Sequence, residues 1–263
     1  MPRDTVGGTL SVAAILCIVC SVLVSAAAVG LRPQQEANKA RFEKKNILIA
    51  AGLYEDGADI DELFKNVQIR LIDLETGDDV PEDVASADSY DQLAASKSAE
   101  TSVAIEADAD IAGIKRREKY SKVYLINEGE QLKKIILPVN GKGLWSTLYG
   151  FIALEADLNT VAGITFYQHA ETPGLGGEVD RESWKASWVG KLLANDSGEM
   201  KIEVIKGAVD ENNPNAIHQI DGLSGATITS RGVSNLVRYW CGDAFAPFLE
   251  KLKAQSSRGA NNG

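Results

Sequence analysis

Cysteine and histidine are scarce in this sequence of 263 residues, which contains three cysteines and two histidines. Cys17 and Cys20 have the C-x-x-C spacing of redox or metal sites, but they lie within an apolar run and lack a second pair of ligands. We expect both to be small apolar residues of a helix. Cys241 has no other cysteine outside that run to pair with, so it is expected to be a packing residue. The part of the chain beyond the run therefore lacks the cysteines of an iron–sulfur centre.

Two catalytic patterns are missing as well. His169 and His218 are accompanied by no G-x-S-x-G elbow, which excludes a hydrolytic triad and predicts histidines that lie at the surface or pack. The glycines at 174, 176 and 177 do not fit the G-x-G-x-x-G fingerprint, which argues against a bound pyridine nucleotide. Any electron chemistry must therefore come from a bound organic cofactor.

Positive charge is in deficit. The chain has 27 Lys and Arg residues against 37 Asp and Glu residues, a formal net charge of −10 and a pI near 4.8. Nucleic acid is excluded as a partner, because its phosphates would be repelled where no basic face opposes them. The acidic residues are dense between 55 and 110, and such a run indicates a solvated face.

The longest apolar run covers residues 9–31, which carry no charge. Its length suffices to cross a hydrocarbon core of about 30 Å, so it predicts a single transmembrane helix surrounded by membrane lipid. A cleaved secretory signal is the alternative, because residues 25–28 are small. The run exceeds the apolar core of about 7–15 residues that such signals have, which favours a retained anchor.

The charges beside this run bear on orientation. They lie mainly on its C-terminal side, at Arg32, Lys39, Arg41, Lys44 and Lys45. By the positive-inside rule, this distribution places the following domain in the cytoplasm. Large domains are translocated largely regardless of charge, so the rule alone does not decide the topology.

The remaining chain predicts an α+β fold, in which a mostly antiparallel sheet packs with helices after the single transmembrane helix. Runs of β-branched residues separated by turn residues predict strands at 123–126, 133–139, 152–154, 161–167 and 201–205. Apolar spacing predicts helices at 44–51, 183–193 and 228–240. We expect an N-terminal segment over 1–31, a stalk and acidic part over 32–119, a binding domain over 120–253 and a disordered tail over 254–263.

The stretch 221–230, DGLSGATITS, brings two glycines and an alanine next to several hydroxyls. Bare backbone at Ser224, Gly225 and Ala226 can approach an anion closely, and the following helix directs its positive end to the same point. The hydroxyl of Thr227 would lie at that end. The simpler interpretation is a turn followed by a capped helix, because Ser and Thr are preferred caps.

This stretch is similar to the flavinylation motif of the FMN-binding domain family. Residues 141–150, GKGLWSTLYG, residues 171–179, ETPGLGGEV, and the membrane segment resemble one branch of it, the C subunits of Na⁺-translocating NADH:quinone reductases. The resemblance implies FMN bound covalently to Thr227 through a phosphoester, and a relay of electrons during NADH oxidation, quinone reduction and sodium export. It also implies a bacterial inner-membrane protein with a periplasmic domain, whose partners are the other subunits of the complex and a flavin transferase.

The flavin ring needs a flat apolar wall and polar groups at its edge. Pro173 and Leu175 could form the wall, while Thr172 and the N–H groups of Gly176 and Gly177 could bond to the ring edge. A plain hairpin connection is the alternative for this loop.

Two further residues have open roles. Trp145 could stack on the flavin or lie in the core. Asp221 could hold its turn through a bond to the backbone, or, as the resemblance implies, belong to the signal that a flavin transferase reads.

Two other functions fit parts of the pattern. One is the corresponding G subunit of an Rnf-type electron-transport complex, which carries the same flavin among other partners. The other is an anchored binding module without a cofactor, in which the 224–227 stretch serves only as a helix cap.

Overall fold

The computed structural model describes residues 5–129 and 131–260, with side chains as far as residue 255. The chain divides into two units, residues 1–43 and 44–263. The first unit consists mainly of helix α1, Val6–Ala50, whose final residues belong to the second unit. Residues 1–4 of the predicted N-terminal segment lie outside the described residues.

Helix α1 joins the predicted membrane run and the predicted stalk in one continuous helix, with Pro33 inside it. Among the described residues it is the one helix long and apolar enough to cross a membrane, with a mean hydropathy of 2.8 over its most apolar window. The apolar side chains of this window are exposed, as expected for a face that lipid covers.

The second unit is built on a five-stranded sheet with the strand order β1–β4–β5–β6–β7, in which every neighbouring pair is antiparallel. A short antiparallel pair, β2–β3, and a parallel pair, β8–β9, lie outside it. This architecture confirms the predicted α+β fold. The strands are β1 Val67–Asp73, β2 Ser102–Ala104, β3 Arg116–Glu118, β4 Tyr120–Glu128, β5 Gln131–Lys142, β6 Thr147–Glu155, β7 Val161–Gln168, β8 Glu203–Val204 and β9 Gln219–Ile220.

The helices of this unit after α1 are α2 Ile60–Phe64, α3 Gln92–Lys97, α4 Glu182–Ala186, α5 Thr227–Tyr239 and α6 Ala246–Ala260. Short 3₁₀ turns occupy Gly176–Asp180 and Ala216–His218, and a π-helical turn occupies Trp240–Ala244. Helix α5 confirms the predicted helix at 228–240 to within one residue at each end. The predicted strands at 123–126, 133–139, 152–154 and 161–167 are confirmed as parts of β4 to β7.

The sheet separates two apolar clusters, because successive side chains of a strand point to opposite faces. Ile135 and Leu137 of β5 belong to the larger cluster, together with Val233 and Leu236 of α5. Ile136 belongs to the smaller cluster, on the other face. That second face is covered by the C-terminal turn of α1, whose buried apolar residues are Ile47, Leu48 and Ala50. Helix α5 is thereby held against one face of the central strand β5.

Three sequence predictions differ from the structure. The helix predicted at 183–193 ends at Ala186, and a turn with Gly190 at φ 82° follows; Val189 is consequently exposed. The strand predicted at 201–205 is reduced to the two residues of β8, because its partner β9 is itself only two residues long. Helix α6 continues as far as Ala260 into the predicted tail, and residues 261–263 lie outside the described residues.

The predicted boundary between residues 119 and 120 stays a prediction. Strand β1, from the acidic part before it, pairs with β4 after it along seven residues.

Candidate functional site

Helix α5 begins at Thr227 with Ala226 as its N-cap residue, and no side chain caps it. Gly225 precedes them with φ 71°, a conformation that favours glycine. Ser224 and Thr227 are exposed, while Ala226 is buried. This geometry contradicts the simpler interpretation, in which a hydroxyl of the 224–227 stretch serves as the helix cap.

The hydroxyl that does support this turn is Ser230, one helical turn further on. It accepts a hydrogen bond from the N–H of Leu223 at 3.1 Å and is itself buried. The carbonyl of Leu223 in turn accepts a hydrogen bond from the N–H of Ala226 at 3.1 Å. The loop before α5 is therefore held by its own backbone and by Ser230. The hydroxyl of Thr227 takes no part in these hydrogen bonds.

A cavity of about 620 Å³ adjoins Thr227, within the usual range for small-molecule sites. It lies between the first turns of α5, the segment 203–208 and the loop 221–225. Of the predicted site residues, Asp221, Ser224, Gly225 and Thr227 line it. Its charged lining consists of Arg181, Glu203, Lys206, Asp221, Arg231 and Arg238.

Positive charge predominates in this cavity, although the whole chain is acidic. Arg238 donates to the Ile202 carbonyl at 2.7 Å and lies 3.8 Å from the Glu203 carboxylate. In the part of the chain that the structure describes, Lys206 and Arg231 form no ion pair. Lys206 and Arg231 thus line the cavity with the hydroxyl of Thr227, against one carboxylate outside an ion pair, that of Asp221, and the resulting excess of positive charge suits an anion.

Asp221 holds the start of the 221–225 loop in the lining of the cavity. Its carboxylate accepts a hydrogen bond from the N–H of Val209 at 2.8 Å, and its carbonyl accepts one from the indole N–H of Trp184 at 2.8 Å. The first of its two expected roles, a bond to the backbone that fixes the turn, is present. Recognition by a flavin transferase stays a prediction.

The loop at 171–177 contacts the loop before α5. Leu175 is 44% exposed, and a Cβ added to Gly225 would lie 2.9 Å from its Cδ2 atom. The Thr172 carbonyl accepts hydrogen bonds from the N–H groups of Leu175, at 3.1 Å, and Gly177, at 2.9 Å. The Gly177 N–H is thus already engaged within the loop, in contrast to its predicted role at a ring edge.

Trp145 is 68% exposed, so the prediction that it lies in the core is wrong. Its backbone N–H donates to Glu171 Oε1 at 3.0 Å, which fixes the loop while the indole remains at the surface. Leu144 beside it is also exposed. Together with Leu175 and Ile228, these residues leave large apolar side chains uncovered near the start of α5.

Glu171 is the site residue that sequence reasoning missed. Its carboxylate is buried and accepts hydrogen bonds from the N–H groups of Leu144, Trp145 and Ser146 and from the hydroxyl of Thr229. Burial opposes ionisation, but these hydrogen bonds outweigh it and lower the pKa of the carboxyl below its usual value. Its hydrogen-bond partners are up to 58 residues away in the sequence, so no local pattern reveals them. The one signal for Glu171 was its position as the first residue of the 171–179 motif.

The structure therefore brings the predicted residues into one region from three segments. Asp221, Ser224, Gly225 and Thr227 line the cavity, and Ala226 lies beneath them. The loop that carries Thr172, Leu175 and Gly176 contacts Gly225 and Thr229, and Trp145 is joined to it through Glu171. His169 contacts Asp180 at 2.9 Å, and His218 contacts the Leu192 carbonyl at 2.8 Å.

Comparison with known proteins identifies the family of the chain. A sequence model of the FMN-binding domain matches residues 143–242, a range that contains all the predicted site residues. The C subunit of the Na⁺-translocating NADH-quinone reductase from Pseudomonas aeruginosa is 49% identical over 95% of this chain and 97% of its own length. The chain belongs to the C-subunit family of these reductases. The corresponding protein from Vibrio alginolyticus is 44% identical over 95% of this chain and 96% of its own.

Solved structures from this family share the fold. The crystal structure of NqrC from Shewanella oneidensis has a TM-score of 0.75 at 36% identity, covering 82% of this chain and 99% of that one. The crystal structure of the C subunit from Parabacteroides distasonis has a TM-score of 0.62 at 26% identity, covering 83% of this chain and 96% of that one. This chain is thus part of an oxidoreductase complex and contains an FMN-binding domain.

Proposed function

We propose that this chain carries FMN joined through its phosphate to the hydroxyl of Thr227, and relays electrons between redox centres of a Na⁺-translocating NADH:quinone reductase. The observation that carries the proposal is the exposed Thr227 at an uncapped helix start, beside a cavity of about 620 Å³. Membership of the C-subunit family and the FMN-binding domain support it.

The residues around Thr227 fit a phosphate. A phosphoester to its hydroxyl would leave one negative charge, close to the first N–H groups of α5, which have no acceptor within the helix. Gly225, with φ 71°, lets the backbone approach this point. Lys206 and Arg231 supply two positive charges in the same cavity. Helix dipole, backbone and side chains thus stabilise the same sign of charge.

The residues that would contact the ring are Trp145, Thr172, Leu175 and Gly176. Leu175 and Trp145 are exposed apolar groups near the start of α5, and covering them with a flat aromatic ring would remove apolar surface from water. The flavin would supply the electron transfer, while the protein binds it, orients it and sets the surrounding charge.

A covalent bond suits the location that we propose. The apolar helix supports a single-pass membrane anchor, and we place the following domain in the periplasm of the bacterial inner membrane. A flavin held by affinity alone would be lost there on dissociation, whereas a phosphoester retains it. The positive charges after the helix oppose this topology, but large domains cross largely regardless of charge.

The partners that follow are the other subunits of the reductase and, during maturation, a flavin transferase. Two relatives that are named as C subunits and align over 95% of this chain support these partners over those of the G-subunit alternative.

The test is mass spectrometry of the tryptic peptide 207–231, from protein purified from its native membrane and denatured. We expect an added mass of one FMN less one water, localised by fragmentation to Thr227 rather than to Ser224, Thr229 or Ser230. Modification of another residue would contradict the assignment. An unmodified peptide that stays unmodified after co-expression with a flavin transferase would instead support the cofactor-free binding module.

A further inference from the structure

One buried carboxylate connects three segments of the site that are distant in sequence. Glu171 is 5% exposed, and its two oxygens accept four hydrogen bonds of 3.2 Å or less. Three come from consecutive N–H groups, those of Leu144, Trp145 and Ser146. The fourth comes from the Thr229 hydroxyl in the first turn of α5, at 2.6 Å. Within the described residues, no ion pair involves Glu171.

Two glycines provide the space for this carboxylate. A Cβ added to Gly143 would lie 2.6 Å from Glu171 Oε1, and one added to Gly176 would lie 2.7 Å from Glu171 Oε2. Any larger residue at either position would displace the carboxylate from its donors. Gly143 and Gly176 belong to the two loops that Glu171 joins, so each loop is shaped around this one group.

We propose that Glu171 is the positioning residue of the site, and that its buried negative charge lowers the reduction potential of the flavin. The proposal rests on the function proposed above. The carboxylate connects three segments at one point: the backbone of Trp145, the loop that carries Thr172 and Leu175, and the first turn of the helix that begins at Thr227. Without it, these segments would lose their common anchor.

The effect of Glu171 on the reduction potential of the flavin follows from the negative charge and the burial of its carboxylate. Reduction adds negative charge to a flavin, and a fixed anion nearby, poorly screened by water, opposes that addition. Glu171 lies directly behind Gly176, one of the residues that would contact the ring. Among the described residues its partners are hydrogen-bond donors without a counter-charge, which stabilise the anion without cancelling its field beyond the site.

Three variants separate the position of this group from its charge. Glu171→Gln keeps the length of the side chain and removes the charge. Glu171→Asp keeps the charge and shortens the reach. Thr229→Val removes one donor and leaves the carboxylate intact. The matched control is Glu178→Gln, which removes a carboxylate from the same region of the chain. Glu178 lies 3.8 Å from the guanidinium of Arg181.

The positioning role is tested without the flavin, by hydrogen–deuterium exchange of the full chain in detergent with Thr227→Ala as the background. We expect the amides of residues 144–146 to exchange roughly tenfold faster in Glu171→Gln and in Glu171→Asp, because donors to a charged acceptor are lost. Unchanged protection of these amides in both variants would overturn the positioning role. Glu178→Gln is expected to leave them protected.

The charge is tested by redox titration of the flavin-loaded full chain. We expect a more positive midpoint potential in Glu171→Gln, and potentials near that of the unsubstituted protein in Glu171→Asp, Thr229→Val and Glu178→Gln. Equal shifts in Glu171→Gln and Glu171→Asp would overturn the charge role and leave a structural one. If the unsubstituted protein carried no flavin, the proposed function would fail, while the exchange experiment would still decide the positioning role.

Discussion

Gly232 of α5 lies so close to Lys142 of β5 that a Cβ added to Gly232 would stand 2.3 Å from the Lys142 carbonyl oxygen. The helix can approach the strand to this distance only where it has no side chain. Just beyond the end of α5, Trp240 donates its indole N–H to the carbonyl of Asn140 at 2.7 Å. These contacts set the position of α5 on the sheet, and with it the position of Thr227.

Replacing Gly232 by Ala is therefore expected to destabilise the protein by about 2 kcal/mol or more, although alanine is the better helix former. The methyl group would meet backbone, which cannot move aside. Thermal unfolding of the full chain in detergent measures this. Gly30→Ala is the control, because Gly30 also lies in a helix and a Cβ added there would meet nothing within 4 Å. Equal losses in the two variants would show that close approach is not the cause.

Replacing Thr227 by Ala should remove the covalent flavin and leave the fold intact. The side chain is exposed, so the change in unfolding free energy should stay within about 0.5 kcal/mol. In-gel fluorescence after denaturation reports the covalent flavin. Ser224→Ala, also exposed and in the same loop, should retain it. A fluorescent band in Thr227→Ala would refute the attachment site.

Replacing Lys206 and Arg231 together by Gln should weaken binding of FMN to the flavin-free protein by about tenfold or more, since charged hydrogen bonds to the phosphate would be lost. Titration of the Thr227→Ala protein measures this, and the loss should diminish at high salt. Lys185→Gln is the control, because Lys185 pairs with Glu182 at 2.6 Å and lies outside the cavity lining. Equal affinity in the double variant would exclude these two residues from phosphate binding.

Stability should fall as the pH rises towards neutrality because of Glu118. Burial raises the pKa of this carboxyl from 4.5 to about 7, with Gln92 as a hydrogen-bond donor at 2.6 Å. The folded state therefore holds a proton that the unfolded state releases. This stabilisation is complete below pH 4.5 and is lost as the pH approaches about 7, amounting to about 3 kcal/mol at most.

Glu118→Gln should remove this pH dependence, and Glu128→Gln, at an exposed ion pair with Lys133, should retain it. Unfolding of the full chain in detergent at a series of pH values between 5 and 7 compares the three proteins. The same slope in Glu118→Gln as in the unsubstituted chain would contradict the assignment.

Much of the fold could be predicted because its signals are local. Apolar runs between turn residues mark β4 to β7, and the spacing of Val233, Leu236, Val237 and Trp240 marks α5. The prediction of a helix at 183–193 was wrong. Trp184 and Trp188 are both buried, but Trp184 lies on a short helix and Trp188 on the turn that follows it, so they do not share one helical face. Apolar spacing reports burial, and burial alone does not specify backbone conformation.

Patterns of neighbouring residues were enough to predict the apolar helix, the mostly antiparallel sheet and the candidate attachment residue Thr227. The packing of distant segments was needed to show that Trp145 is exposed, that Lys206 and Arg231 line a cavity with Thr227, and that Glu171 bonds to Thr229, 58 positions away. Contacts between distant segments depend on how helices and loops pack on the sheet. A carboxylate becomes the centre of a site only when the fold removes it from water and surrounds it with donors.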